Sequence, residues 1–278
     1  MADEDPVFET TTGPVRVITA ASLFDGHDAA INVMRRLIQS SGAEVIHLGH
    51  DQSAQAVVDC AVQEDAHAIA LTSYQGGHVE YFTYIRQLLD EAGCAHVRIF
   101  GGGGGTITPP EIRTLHQSGI TKIYSPDDGR TMGLMGMIHH LMGLAAEVDL
   151  IDKQRLASLN GPVTVDDMAK VGLLMTLSES ADDATFKAAI DTCRSSDKDV
   201  PVIGFTGTGG AGKSSLLDEL MLRIQRDNPG KKVCLLCVDP TRKRTGGALL
   251  GDRIRMNSLS NNDLYMRSLA SRGSGSEI

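Results

Sequence analysis

The chain has 278 residues, about two domains by length, with 41% hydrophobic and 22% charged residues, the balance of a water-soluble globular protein. Its net charge of −9 argues against a broad basic surface for nucleic acid, and no apolar run is long enough to span a membrane. The acidic start MADEDPVFETTTGP lacks the apolar core of a signal peptide, and five scattered cysteines fit reduced thiols, so a cytoplasmic location is expected.

Residues 1–14 form an acidic tail. Residues 15–144 then alternate apolar runs with helical patterns. The runs are VRVITA (15–20), EVIHLG (44–49), AIALTS (68–73), VRIFGG (97–102) and TKIYSP (121–126). After the first run, Ile31, Met34, Leu37 and Ile38 fall on one helical face; further helices are expected near 53–64, 79–93, 109–118 and 131–144. Short apolar strands separated by helices predict an α/β fold, a five-stranded parallel, flavodoxin-like sheet with strand order 2-1-3-4-5.

Residues 145–200 change to a helical linker, with periodic segments VDDMAKVGLLMTLSE and ATFKAAIDTCR and a break at Asn160-Gly161-Pro162. The linker is either a spacer or a route of transmission between its neighbours. From residue 201 a second α/β unit begins: VIGFTG as a strand, Ser214 to Arg226 as a helix, KKVCLLCVD as a strand and DLYMRSLA as a third. Cys234 and Cys237 lie inside one of these strands, where residues three apart face opposite sides, so they read as core cysteines and not as a metal pair. Residues 201–278 hold too few strands for a complete α/β domain, and the chain reads as the front of a longer protein.

Two sites stand out. In an open α/β sheet, ligands bind beyond the carboxyl ends of the strands, where strand order reverses. That edge carries Asp25-Gly26-His27 after the first strand, Ser73-Tyr74-Gln75-Gly76-Gly77 after the third and Gly101–Gly105 after the fourth. The first loop, FDGHDAA, has one glycine and not the G-x-G-x-x-G of a dinucleotide site. A histidine with one carboxylate beside it is too little for a protein-only zinc site, but it suits a metal that brings its own ligands, Asp25 fixing the imidazole tautomer. On geometry alone, a solvated or capping His27 is the stronger reading.

The second site is GTGGAGKS, the P-loop pattern G-x-x-x-x-G-K-[ST] from Gly207 to Ser214, with a glycine-rich turn as the bland alternative. Backbone N–H groups of Gly207, Gly209, Gly210, Ala211 and Gly212 would cradle phosphates, Lys213 would reach the β and γ oxygens as the catalytic lysine, and Ser214 would bind Mg²⁺. Asp239, at the end of VCLLCVD, reads as a magnesium-associated aspartate or as a turn residue before Pro240. No guanine-selecting N-K-x-D is present.

Residues 15–144 resemble the cobalamin-binding domain of adenosylcobalamin-dependent acyl-CoA mutases. The pattern D-x-H-x-x-G, S-x-L and G-G is matched by Asp25, His27, Ser73 and Gly102-Gly103. Ala30 stands in place of the last glycine of the first motif, and Tyr74-Gln75 replaces the x-L of the second. The resemblance implies that His27 is the lower axial cobalt ligand and that Asp25, Gly26, Ser73, Tyr74, Gly102 and Gly103 line the cofactor, its nucleotide tail entering between the first and third strands. Residues 238–256, VDPTRKRTGGALLGDRIRM, together with YMRSLASRG, resemble the G-protein chaperones of these mutases. That likeness implies GTP as the nucleotide, Mg²⁺ held with Asp239, Asp252 and the Val238 carbonyl, and Arg255 near the nucleotide.

The order of the parts is similar to the fused isobutyryl-CoA mutase family. This implies radical interconversion of isobutyryl-CoA and butyryl-CoA, an acyl-CoA-binding mutase domain elsewhere, an adenosyltransferase as cofactor donor, and a homo-oligomer. Two alternatives are a cobalamin-binding GTPase carrier without mutase activity and a cobalamin-dependent methyltransferase or sensor. The latter usually carries a helical bundle ahead of the cobalamin domain, where only about 14 residues stand here.

Overall fold

The computed structural model describes residues 6, 8–194, 200–242, 245–260 and 263–272. Residues 1–5 and 7 of the acidic tail, residues 195–199 of the linker and the final glycine of YMRSLASRG therefore lie outside the described residues.

Five strands form at the predicted runs: β1 (Arg16–Ser22), β2 (Glu44–Gln52), β3 (Ala68–Thr72), β4 (Arg98–Gly102) and β5 (Lys122–Tyr124). All pairings are parallel, and the order β5-β4-β3-β1-β2 is the expected 2-1-3-4-5. Every residue of β1 is buried, as a central strand covered on both faces requires. One face packs under α2 (Ala54–Gln63), α3 (His78–Glu91) and α4 (Pro109–Gln117), with Ile18, Ile46, Ile69, Ile99 and Phe82 at its centre. The other packs under α1 (Asp28–Ser40) and α5 (Pro126–Ala146), around Val17, Val45, Phe100, Ile138 and Met142. Local signals set several helix starts. Ser53 caps α2 by accepting from the Ala56 N–H, and capping boxes open α4 (Thr108, Glu111) and α5 (Ser125, Asp128).

The linker folds as α6 (Lys153–Ser158), α7 (Met168–Ser180) and α8 (Asp183–Cys193) around a small core of Leu159, Val163, Leu173, Leu177 and Cys193. Beyond it come α9 (Lys213–Asp227) and a parallel pair, β6 (Val233–Asp239) with β8 (Leu264–Ala270). As the alternation predicts, Cys237 is buried in β6 while Cys234 is exposed.

Two features differ from expectation. VIGFTG is not a strand: residues 201–207 are unpaired and exposed, Val202 at 93% and Ile203 at 73%. An apolar extended segment becomes a strand only where another strand offers its backbone groups. Here β6 and β8 pair with each other, and no described strand runs beside 201–207. Conversely, β7 (Ala248–Leu250), within the stretch 238–256 for which no strand is expected beyond Asp239, pairs in parallel with Glu44–Ile46 of β2. It is the sixth strand of the first sheet, so that sheet draws on the chain well beyond residue 144.

Candidate cobalamin and nucleotide sites

The loops after β1, β3 and β4 converge as the switch-point argument requires. Asp25 is fully buried, and its carboxylate ties two of them together. Oδ1 accepts from the His27 backbone N–H at 2.9 Å and faces His27 Nδ1 at 2.7 Å; Oδ2 accepts from the Tyr74 N–H at 2.6 Å. Burial alone would raise the Asp25 pKa. The hydrogen bonds from the Tyr74 and His27 backbones and the His27 ring outweigh it and hold the carboxyl below its usual value. A carboxylate kept ionised against Nδ1 fixes the proton there and leaves Nε2 as a lone-pair donor.

His27 stands at the N-cap of α1, yet its side chain makes no capping bond and is 63% exposed. Its ring lies 5.6 Å from that of Tyr74, centre to centre. Ser73, also buried, accepts from the Ser22 hydroxyl at 2.9 Å, which joins the ends of β1 and β3. Around His27 the surface is open: a Cβ added at Gly26, Gly76 or Gly77 would meet nothing within 4 Å.

The five-glycine run divides in its roles. At Gly103 a Cβ would stand 2.1 Å from the Ser73 carbonyl oxygen, so the close approach of the two loops itself demands glycine. Gly102 has ordinary room and remains available to a ligand. Below this edge, an apolar cavity opens between the sheet, α1 and α5, lined by Ile31, Met34, Ile38, Phe100, Ile138 and Leu141. It was not read from the sequence, because its walls are ordinary core residues distinguished only by the space between them. Ala30 sits in the first turn of α1 and is partly buried.

At the second site Gly212, with φ of +85°, turns the chain into α9, whose first N–H groups lack a side-chain cap and so face outward for an anion. Lys213 Nζ donates within the loop, to the carbonyls of Gly207 at 2.8 Å and Thr208 at 3.0 Å. The Ser214 hydroxyl donates to Asp252 Oδ1 at 2.9 Å. Asp239 accepts from the Gly251 N–H at 3.2 Å; burial first, then repulsion from Asp252, pushes its carboxyl up to about 6. Two carboxyls that repel each other beside a P-loop serine make a place a divalent cation would neutralise. Val238 lies in the β6 ladder opposite Leu269, just before Asp239. Arg255 is exposed, its guanidinium 3.9 Å from Asp252. Elsewhere, among the described residues, no group of three or more His, Cys, Asp or Glu side chains gathers as a metal site. No described helix is long and apolar enough to cross a membrane.

Sequence reasoning passed over a buried ionic cluster between the parts. Glu64, at the end of α2, accepts from Arg253 Nη1 at 3.2 Å and from the Ser268 hydroxyl at 2.8 Å. Arg16 pairs with Glu44 at 2.8 Å and Glu179 of α7 at 3.2 Å, and Arg267 of β8 pairs with Glu179 at 2.6 Å. Asp65 receives Arg155 at 2.6 Å and the Thr176 hydroxyl at 2.7 Å. Linker, first sheet and second unit thus share one set of charges.

Fold and sites together define a cobalamin-binding domain joined to a P-loop GTPase domain. Residues 15–127 match the B12 binding domain family, and residues 171–277 match the methylmalonyl Co-A mutase-associated GTPase MeaB family. Fused isobutyryl-CoA mutases from Geobacillus kaustophilus and Cupriavidus metallidurans are each 51% identical over 95% of this chain, covering 25% and 24% of their own lengths. The 2-hydroxyisobutanoyl-CoA mutase small subunit of Aquincola tertiaricarbonis is 33% identical over 41% of this chain and 82% of its own. The chain belongs to this acyl-CoA mutase family, and the likeness to its fused isobutyryl-CoA members runs almost end to end. It spans about a quarter of the length of those fused relatives.

Proposed function

We propose that this chain is the cofactor-handling part of an adenosylcobalamin-dependent acyl-CoA mutase that interconverts isobutyryl-CoA and butyryl-CoA, with a GTPase segment in the same polypeptide that gates cofactor loading. Residues 15–144 would bind cobalamin, 145–200 would link, and 201–278 would belong to the GTPase unit. The observation that carries this reading is the His27–Asp25 pair at 2.7 Å, an outward imidazole on a buried carboxylate at the switch point of the sheet.

The site's chemistry fits the group. His27 Nε2 would be the protein's ligand to the cobalt, and Asp25 would keep the Nδ1 proton in place. Tyr74 would flank the imidazole, and the open backbone at Gly26 and Gly102 would let a flat macrocycle approach. The displaced nucleotide tail would pass Ser73 and fill the apolar cavity between α1 and α5. When bound, adenosylcobalamin supplies the radical by cobalt–carbon homolysis; the protein's part is to bind, orient and exclude water. In the second unit, Gly207 through Gly212 would hold the GTP phosphates, Lys213 would neutralise the β and γ oxygens, and Ser214, Asp239, Asp252 and the Val238 carbonyl would surround Mg²⁺, with Arg255 beside the nucleotide. Acyl-CoA would bind to a mutase domain or subunit, an adenosyltransferase would donate the cofactor, and the assembly would be a homo-oligomer.

The visible spectrum on adding adenosylcobalamin tests the carrying observation. Wild type is expected to give the base-off, His-on form, and His27→Ala to lose it. A spectrum unchanged by that substitution would remove His27 from the reading. Loading without isomerase turnover in the complete polypeptide would favour the carrier function over the mutase.

A further inference from the structure

The turn that carries Asp252 reaches both sites. Asp252 opens a short 3₁₀ turn, Arg253–Arg255, closed by the Arg255 N–H on the Asp252 carbonyl at 3.0 Å and the Met256 N–H on that of Arg253 at 3.1 Å. With three residues per turn, neighbours project roughly 120° apart, so successive side chains face three different places. Asp252 accepts from the P-loop hydroxyl of Ser214 at 2.9 Å. Arg253, only 6% exposed, donates to Glu64 and Gln63 at the end of α2 and to the Met266 carbonyl of β8 at 3.2 Å. Ile254 lies over Gly49 of β2: a Cβ there would stand 3.0 Å from Ile254 Cδ1.

Gly49 is an irregular point of the sheet. Its φ is +87°, and the β1–β2 register shifts on either side of its partner Ala20. Two residues further, Asp51 closes the path to the first site. Its N–H donates to the Asp25 carbonyl at 3.3 Å, and its Oδ1 accepts from the Phe24 N–H at 2.7 Å. Asp25 in turn holds His27. Ser214, Asp252, Ile254, Gly49, Asp51, Asp25 and His27 thus form an unbroken series of contacts and chain neighbours, none of it through the linker.

We propose that residues 252–254 act as a rocker coupling the nucleotide site to the histidine–aspartate pair: Arg253 is the pivot, Asp252 the arm in the nucleotide–metal site, and Ile254 the arm that positions the end of β2 and, through Asp51, the loop carrying Asp25 and His27. The pivot is fixed because a buried guanidinium paired with Glu64 cannot leave without stranding a charge. The outer arm has room to move, since Ile254 is 50% exposed and seats on a residue without a side chain. A shift of Asp252 toward a cation would tilt the turn about Arg253 and change how Ile254 presses on Gly49. The proposal rests on the reading of His27 as cobalt ligand and of the P-loop as the GTP site. It names the residues through which those sites communicate. Coupling of this kind is reciprocal: the factor by which nucleotide changes cobalamin affinity equals the factor by which cobalamin changes nucleotide affinity.

The test measures that factor in the complete polypeptide. Adenosylcobalamin binding is titrated by absorbance with and without Mg²⁺ and a non-hydrolysable GTP analogue, and analogue binding is titrated with and without adenosylcobalamin. In wild type the two factors are expected to agree and to be about 5-fold or more. Ile254→Ala is expected to bring both to within about twofold of unity while each ligand alone binds nearly as before. Ile254→Val, which keeps the contact, should retain most of the coupling, and Asp51→Ala, which breaks the next link, should abolish it independently. Undiminished coupling in both Ile254→Ala and Asp51→Ala overturns the rocker and leaves the proposed function standing; a factor of one in wild type overturns the rocker together with the gating part of that function, and leaves the cobalamin and nucleotide sites standing. Absence of a His-on spectrum or of nucleotide binding in wild type overturns both.

Discussion

Glu64→Gln is the sharpest test of how the two units are held together. Glu64 is fully buried, and its carboxylate serves donors from three segments. Arg253 Nη1 lies at 3.2 Å, the Ser268 hydroxyl at 2.8 Å, the Ser268 N–H at 3.0 Å from Oε2, and Arg16 Nη1 at 3.7 Å. Glutamine keeps the volume, removes the charge and turns one acceptor into a donor. That donor must face Arg253 or Ser268, both of which also donate. Breaking a buried pair by removing one partner costs about 3–5 kcal/mol. At about 2–4 °C per kcal/mol for a chain of this size, the melting temperature should fall by about 6–20 °C. Circular dichroism melts with parallel calorimetry would measure this, since a chain with several hydrophobic clusters need not unfold in one step. Arg253→Met added to Glu64→Gln should cost less than the sum of the single changes, by about 0.5–3 kcal/mol. A loss below about 2 °C for Glu64→Gln, or strict additivity in the pair, would refute the assignment of Glu64 as the joint's central acceptor.

Asp25→Ala should weaken adenosylcobalamin binding about 10–100-fold in absorbance titrations, because His27 loses the partner that sets its tautomer. Stability should fall as pH drops below about 6.5, the unfolded histidine value. Burial lowers His67 to about 3 against Asp65, and burial with Arg35 at His47 and Arg155 at His96 lowers those two to about 4, so these rings stay neutral in the fold while the unfolded chain takes up protons. Glu44, held at about 2 against its burial mainly by Arg16 and Arg272, adds a further loss as pH falls from its ordinary 4.5 toward 2. Melting temperatures measured from pH 7 to 4 should therefore decline throughout, and a flat profile between pH 6.5 and 5 would contradict the histidine part. Lys213→Ala in the complete polypeptide should abolish GTP hydrolysis and leave cobalamin affinity within about threefold, as expected for a lysine whose only described polar contacts, at Gly207 and Thr208, lie inside the P-loop.

The first sheet was legible because each strand announces itself locally. Ile18, Ile46, Ile69 and Ile99 lie in short apolar runs between helices whose faces repeat at helical spacing, and such runs leave few parallel arrangements. Strand order then placed the loops of Asp25, Ser73 and Gly102 on one edge, and the bond from Tyr74 to Asp25 bears out that convergence. The glycine run was legible as a signal but not in its division of labour. Whether Gly103 serves a ligand or the Ser73 carbonyl depends on a distance between two loops, which no pattern within either loop records.

The joint between the units was illegible for a different reason. Arg253 sits in a stretch with no amphipathic period, and in isolation an arginine between an aspartate and an isoleucine reads as solvated. Its burial depends on Glu64, 189 positions earlier in the chain. Charges are buried only where a partner and further hydrogen bonds compensate for lost water. Such a residue therefore cannot be recognised as core until its partner is known. The same holds for β7: Ala248–Leu250 is too short to signal a strand by itself, and it becomes one because the edge of β2 at Glu44–Ile46 offers unpaired backbone groups. Satisfying that edge brings Gly251 and Asp252 to the border of the first sheet, with Ser214 bound to one and Asp239 to the other. The strand that completes the cobalamin sheet and the turn that frames the nucleotide site are thus consecutive residues. They give the proposed coupling a direct route that does not pass through the helical linker.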